Sequence, residues 1–352
     1  MKIRVVIVAL LVLPLAACNT VYFYGQAVTG QLNILAKRES IEEMLDDPQT
    51  DADLRTRLET ILAIRAFAEA ELALPVRNNF ATYADVGSPY VVWNVFAAPE
   101  FSLDVKNWCY PIAGCVSYRG YFSEEAARNY AGDLDADGLD VWVGGVAAYS
   151  TLGWFADSVL NTVIKRDDYR LAALIFHELA HQVVYVPGDT QFNESFATAV
   201  EMEGLKRWLE INRDSADAQA VVENAITEKA YREQFVALVQ SYQPKLHDLY
   251  DSSLDPVAMR AAKAALFDAL REDYAGLKAG WNGYSAYDAW FAEAINNAKI
   301  NTVATYFNHV PAFDVLLAQA NGDLPAFYAR VAELGKMSRV DRHDLLEALV
   351  GQ

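Results

Sequence analysis

Two histidines four residues apart, His177 and His181, flank a glutamate in the run His177-Glu178-Leu179-Ala180-His181. On an α-helix each residue advances about 100°, so these two point about 40° apart and both imidazoles reach one metal ion. Zinc takes neutral imidazole nitrogens and carboxylate oxygens, and a hydrolytic site uses three protein ligands so that the fourth position stays open to water. Glu178 stands one residue past His177, beside such an ion rather than on it, where it can act as general base towards water. The chain has five histidines (His177, His181, His247, His309 and His343), so this pattern is not a by-product of a histidine-rich composition. Taken alone, the motif also fits a helix whose two histidines are merely satisfied by hydrogen bonds.

The surroundings favour the metal. Leu171, Leu174, Ile175 and Leu179 recur at helical spacing behind an acidic cap at Asp167 or Asp168, placing the motif on an amphipathic helix. Pro187-Gly188-Asp189 ends that helix and reverses the chain. A second helix from about Asn193 to Leu209 then returns Glu194 and Glu201, seven apart and so two turns along one face, with Thr198 near the same stripe. Either glutamate can be the third ligand.

The string Asn193-Glu194-Ser195-Phe196-Ala197 followed by Glu201 resembles the Asn-Glu-Gly-Phe-Ala…Glu pattern of gluzincin aminopeptidases, in which the first glutamate binds the metal and the second supports a histidine. Tyr118-Arg119-Gly120-Tyr121-Phe122, the stretch from Ala148 to Phe155, and Phe176 to His181 together resemble a family of bacterial lipoproteins described as zinc-dependent aminopeptidases. The resemblance implies a zinc peptidase with a zincin-like fold. Twelve residues separate His181 from Glu194, fewer than in the best-known gluzincins, whereas nineteen separate it from Glu201, the thermolysin-like count. Loop length between helices varies freely, but the local string cannot be shifted, so Glu194 is expected as ligand and Glu201 as the carboxylate orienting a ligand histidine.

Met1 to Ala17 carries Lys2 and Arg4, then the apolar run Val5 to Leu13, and ends in Leu15-Ala16-Ala17-Cys18. It reads as a signal peptide, too short to span a bilayer. The small-residue site before Cys18 resembles a lipobox, which implies lipidation at Cys18 and a membrane-anchored protein facing the periplasm, at the outer membrane in preference to the inner. Cys109 and Cys115, the other two cysteines, surround Pro111 and Gly114; an oxidising compartment could close that loop as a disulfide, the alternative being two buried thiols. The net charge is −18, and −20 without Lys2 and Arg4. Such a surface repels nucleic acid and anionic headgroups, so the partners expected are a peptide substrate and the lipid anchor's membrane, with no nucleic acid.

The remaining chain supplies the scaffold. Residues Thr20 to Leu74 read as two helices broken at Asp46-Asp47-Pro48, with Leu54, Leu58, Ile61, Leu62, Ile64 and Phe67 on one face of the second. Tyr90 to Phe96, Val116 to Phe122 and Leu139 to Val146 read as strands of one small sheet, and Val141 to Tyr149 as either an edge strand for substrate or ordinary sheet core. Asp133 to Gly138 imitates the start of a calcium loop, but its twelfth position is Gly144, and an acidic turn is the preferred reading. Beyond Glu210 helices are expected at Ala216 to Tyr242, Pro256 to Leu277, Ala286 to His309, Val310 to Asn321 and Leu324 to Leu334. Asn296, Asn297, Tyr306 and His309 fall on one of them, and Tyr306 and His309 are candidates to stabilise an oxyanion.

The expectation is an α+β, mostly helical, zincin-like metallopeptidase with a small sheet before the motif helix. Its divisions are a signal peptide at 1–17, a helical segment at 18–80, a catalytic region at 81–210 and a helical C-terminal region at 211–352. The zinc ligands are His177, His181 and Glu194, and Glu178 is the base. An endopeptidase and a non-catalytic, zinc-stabilised binding lipoprotein are the competing functions; the latter has no use for Glu178.

Overall fold

The computed structural model describes residues 23–110, 114–148, 156–212, 215–303 and 309–350. Cys18, Tyr149 and Tyr306 lie outside them. The chain forms the mostly helical α+β fold expected, with strands no longer than eight residues. After a helix at residues 23–36 (α1) come β1 (Arg38–Ser40), α2 (Ile41–Asp46) and α3 (Ala52–Ala70), then β2 (Thr82–Ala84). The break at Asp46 to Pro48 falls as expected, but the two-helix reading of this region is corrected by β1 and by the earlier end of α3. Asp51 caps α3 through the amides of Asp53 and Leu54, and the expected apolar face buries Leu58, Ile61, Ile64 and Phe67.

The expected small sheet forms, and further strands stand beside it. β3 (Val92–Pro99), β6 (Arg119–Tyr121) and β7 (Leu139–Val146) form one antiparallel sheet in the order β6-β3-β7. A second sheet runs β1-β2-β8, where β8 is Val159–Leu160, and β4 (Trp108–Tyr110) and β5 (Gly114–Val116) make a hairpin. Cys109 and Cys115 face one another in that hairpin, their Cα atoms 3.9 Å apart, and are disulfide-bonded. Between β6 and β7 lies α4 (Glu124–Ala136), capped by Ser123. The calcium-like string is the end of this helix, with Asp137 as its C-cap. At about 100° per residue Asp135 points about 160° away from both Asp133 and Asp137, so the three carboxylates cannot wrap an ion as a loop does.

The main core gathers α2 and α3 with α6 (Asp168–Ala180), α7 (Thr190–Asn212), α12 (Val310–Gln319), α13 (Leu324–Gly335) and α14 (Arg339–Val350). The short α5 (Asn161–Ile164) leads into α6. A separate aromatic-rich core joins α8 (Ser215–Tyr250), α9 (Pro256–Lys278), α10 (Asp288–Ala292) and α11 (Asn297–Asn301). The continuous helix expected from Ala286 to His309 is therefore interrupted, because Asn296 bonds the Lys299 amide with its side chain and starts a new helix. Buried ties fix this unit to the β3–β7 sheet: Lys263 Nζ to Asp140 at 2.6 Å, and Asn297 Nδ2 to the carbonyls of Pro99, Glu100 and Ser102 at 3.0 Å each. Asn296 Nδ2 also donates to the Val141 carbonyl at 2.8 Å, so the start of the β7 edge is already occupied.

Candidate metal centre

The site is built where α6 ends and α7 comes back along it. α6 buries Leu171, Ile175, Phe176 and Leu179, which turns His177 and Glu178 to the half-buried side. His181 is its C-cap. The reversal needs Gly188 at φ +80°, a left-handed conformation that only glycine adopts freely. Two carboxamide and carboxylate clamps then set the start of α7. Asn193, buried, accepts from the Val186 amide at 2.8 Å and donates to the Val186 carbonyl at 2.9 Å. Asp189, equally buried, accepts from the Phe192 amide at 3.2 Å. Further along, Gly204 lies against the Phe176 ring, where a Cβ would come within 2.7 Å, so α6 and α7 approach more closely than any side chain at 204 would allow.

This packing brings His177, His181 and Glu194 together, with one donor atom from each lying within 4.8 Å of the others. His177 Nε2 is 3.2 Å from Glu194 Oε2, and His181 Nε2 is 3.6 Å from Glu194 Oε1. Ligands on tetrahedral arms of 2.0–2.2 Å sit about 3.3–3.6 Å apart, so the donor set and its spacing fit a zinc-sized ion. Glu201 does not face the same point. Its Oε2 lies 2.9 Å from His177 Nδ1, fixing the ring and directing Nε2 towards the triad. The buried Nδ1 of His181 has no hydrogen-bond partner among the described residues, so that ring is free to present its Nε2 lone pair.

Without an ion the two histidines divide sharply. Burial opposes charge on His177, but hydrogen bonds to Glu194 and Glu201 outweigh it and push its pKa up to about 10. Burial, and then the charge on His177, push His181 down to about 4. Glu194 stays below the usual carboxylate range because the bond from His177 overcomes its own burial. The metal-free centre thus holds one proton beyond the neutral imidazoles, on His177, beside the place where a cation would sit.

The oxyanion candidates fare differently. Tyr306 lies outside the described residues. His309 belongs to another cluster, where its amide donates to Ser195 Oγ at 3.3 Å and its ring stands 4.6 Å from that of His343. The expected polar string is therefore corrected: Asn296 and Asn297 bind the sheet while His309 packs behind α7. Two phenols stand by the triad instead. The Tyr185 ring is 6.4 Å from that of His181, and the Tyr118 hydroxyl is pushed up by burial and by the nearby charges of Tyr185 and Glu194. Tyr185 lies in the turn after α6, four residues past His181, and Tyr118 in the link between β5 and β6, at the start of the Tyr118 to Phe122 string.

Sequence reasoning also missed the brace behind the turn. Arg342 of α14 donates Nη2 and Nε to Asp189 Oδ2 at 2.6 and 3.0 Å, and His343 Nε2 lies 2.9 Å from the same oxygen. The Arg342 guanidinium lies 5.0 Å from the Phe192 ring centre and binds the carbonyls that end α13.

Fold and centre together describe a mostly helical protein with two histidines and a carboxylate that could hold a metal ion, and a half-buried glutamate one residue after His177. A family model described as "putative aminopeptidase" matches residues 22–346, and the chain belongs to that family, which supports a peptidase-like function. No curated protein and no solved structure matches it.

Proposed function

We propose that this protein is a zinc-dependent aminopeptidase in which His177, His181 and Glu194 hold the ion, Glu201 orients His177, and Glu178 is the general base. The donor spacing of the triad carries the reading, since it suits a tetrahedral ion and involves three protein ligands rather than four. A zinc ion there would polarise the scissile carbonyl and acidify a water. The chain's own part is proton handling and placement. Glu178, half-buried one residue after His177, takes the proton from the attacking water and passes it to the leaving amine. Tyr185, whose ring stands 6.4 Å from that of His181, and Tyr118 are the candidate donors towards the developing oxyanion. Membership of the aminopeptidase family favours a free peptide N-terminus over an internal bond.

Glu178→Gln should leave zinc stoichiometry intact and lower turnover by about 10²–10⁴-fold. Zinc content and peptide hydrolysis are measured on one sample, with a chelator control and with N-acetylated peptides to separate exo- from endopeptidase. Full activity in that variant sinks the mechanism. Residues 1–18 further support export and lipid attachment at Cys18, and no helix among the described residues is long and apolar enough to cross a membrane. Fatty-acid labelling of the wild type against Cys18→Ser tests the anchor, and unchanged labelling would discard it.

A further inference from the structure

The acidic residues of this chain leave one flank of the molecule bare. There are 47 of them in 352 residues, so a stretch of 40 would ordinarily hold about five. Residues 18–38, which contain α1, hold none, and neither do residues 105–123, which contain β4, β5 and β6. The charged side chains of these 40 residues are Lys37, Arg38, Lys106 and Arg119, all basic.

The two stretches are packed together. Gln26 of α1 donates Nε2 to the Gly120 carbonyl at 3.3 Å and accepts from the Phe122 amide at 3.0 Å. Phe23 stacks on Tyr110, their ring centres 5.4 Å apart, and Gly30 abuts the Phe122 ring so closely that no Cβ would fit. Ile34, 6% exposed, completes the inner face against Val91 and Leu160. The outer face has no such partners and is apolar: Tyr24, Val28 and Leu32, four residues apart, are 39%, 57% and 57% exposed. Gly25, Thr29, Asn33 and Ala36 beside them are exposed too, and none is charged. Large apolar side chains in an unbroken uncharged stripe mark a surface that gains by leaving water.

What covers the stripe is indicated by the chain before it. Phe23 is five residues past Cys18, so the start of α1 lies within about 18 Å of a lipid attached there. A tether that short holds the stripe at high effective concentration over the bilayer, and a face too small to bind membrane unaided then binds. Tyrosine suits the headgroup level, and valine and leucine the acyl boundary beneath it. The acidic charge that repels headgroups elsewhere is missing from this flank, and exposed Lys37 stands at its end. Three partly exposed side chains also fall well short of the roughly 800 Å² per partner that a stable dimer buries.

We infer that the outer face of α1 lies in the headgroup region of the bilayer that the Cys18 lipid enters, so that the protein is held to the membrane at two points and in one orientation. This placement rests on the lipid anchor at Cys18 and is independent of the metal centre.

The full lipidated chain carrying Thr29→Cys, labelled with an environment-sensitive fluorophore, is reconstituted on phosphatidylcholine vesicles. Val257→Cys of α9, a position 74% exposed, carries the same label as a control, and the bonded Cys109 and Cys115 do not compete for it. Emission from position 29 should shift to the blue and be quenched by headgroup spin-labelled lipid, while that from position 257 stays as in water. Adding Val28→Glu and Leu32→Glu should return position 29 to its aqueous spectrum, with flotation on the vesicles and circular dichroism unchanged. An aqueous spectrum at position 29 of vesicle-bound protein, or equal shifts at both positions, overturns the inference. So does a shift that grows with protein concentration in the absence of vesicles, which would make the face an interface between copies. If the wild type takes no fatty acid at Cys18, it is the anchor reading that fails. The unlipidated chain is then floated with the same vesicles at rising lipid: binding that weakens about tenfold in Leu32→Glu supports the face, and absent or unchanged binding overturns it.

Discussion

Glu194 and Glu201 offer the sharpest test of the centre, because both carboxylates approach His177 but at different nitrogens. Glu201 Oε2 is 2.9 Å from Nδ1, and both side chains are less than a third exposed, so the contact is only partly screened. Loss of such an orienting partner costs about 10–100-fold in metal affinity, or roughly 1.4–2.7 kcal/mol. Zinc at 1,000 times its dissociation constant stabilises the fold by about 4.1 kcal/mol. Glu201→Ala should therefore leave about 1.4–2.7 kcal/mol of that zinc-linked stabilisation at the same free zinc. Glu194→Ala removes a donor 3.2 and 3.6 Å from the two Nε2 atoms together with its charge, so nearly all of it should vanish. Zinc titration against a competing chelator, paired with urea unfolding at fixed free zinc, reads both quantities. Tight zinc in Glu194→Ala with loss in Glu201→Ala would reverse the assignment and return to the thermolysin-like count.

The proton on His177 gives a second prediction. A pKa raised to about 10 means that the metal-free protein gains stability fully present below about pH 6.5 and lost as pH rises through about 10. Zinc must displace that proton, so binding at pH 7 should release about one, measured by calorimetry in buffers of different ionisation enthalpy. Release of none would mean that the imidazole is already neutral. A third prediction concerns the brace: Arg342→Met leaves Asp189, whose side chain is 1% exposed, with only His343 and the Phe192 amide, and should cost up to about 3–5 kcal/mol in urea unfolding. It should also weaken zinc binding, because Asp189 sets the first turn of α7. A cost under about 1 kcal/mol would show that the ion pair does not hold the turn.

The parts of this molecule that were legible are those whose information is local. The motif helix is periodic and starts at Asp168, although Asp167 makes no side-chain cap bond, and Leu139 to Val146 is a strand over the residues expected. The strands of the other sheet, two or three residues each, are too short for alternation to register, and the acidic surface of α4 hid a helix inside a β-prone region. Asn296 broke a helix that propensity alone would continue, since a side-chain cap is a single residue competing with a whole pattern.

The same distinction runs through the centre itself. His177 meets Glu194 and Glu201 across 17 and 24 residues, within two adjacent helices, so the candidate ligands come from one stretch of chain. What places that stretch comes from much farther away: the ion pair from Asp189 to Arg342 spans 153 residues and the amide of His309 reaches Ser195 across 114. Ligand identity and ligand geometry are thus encoded differently. A substitution in α14, with no contact to the triad, is expected to act on the metal through the N-terminus of α7, because Asp189 is at once the cap of that helix and the anchor of Arg342. The C-terminal helices are in this sense part of the centre. The catalytic region marked off at 81–210 from its motifs holds the triad, whereas the brace that fixes its geometry lies beyond it.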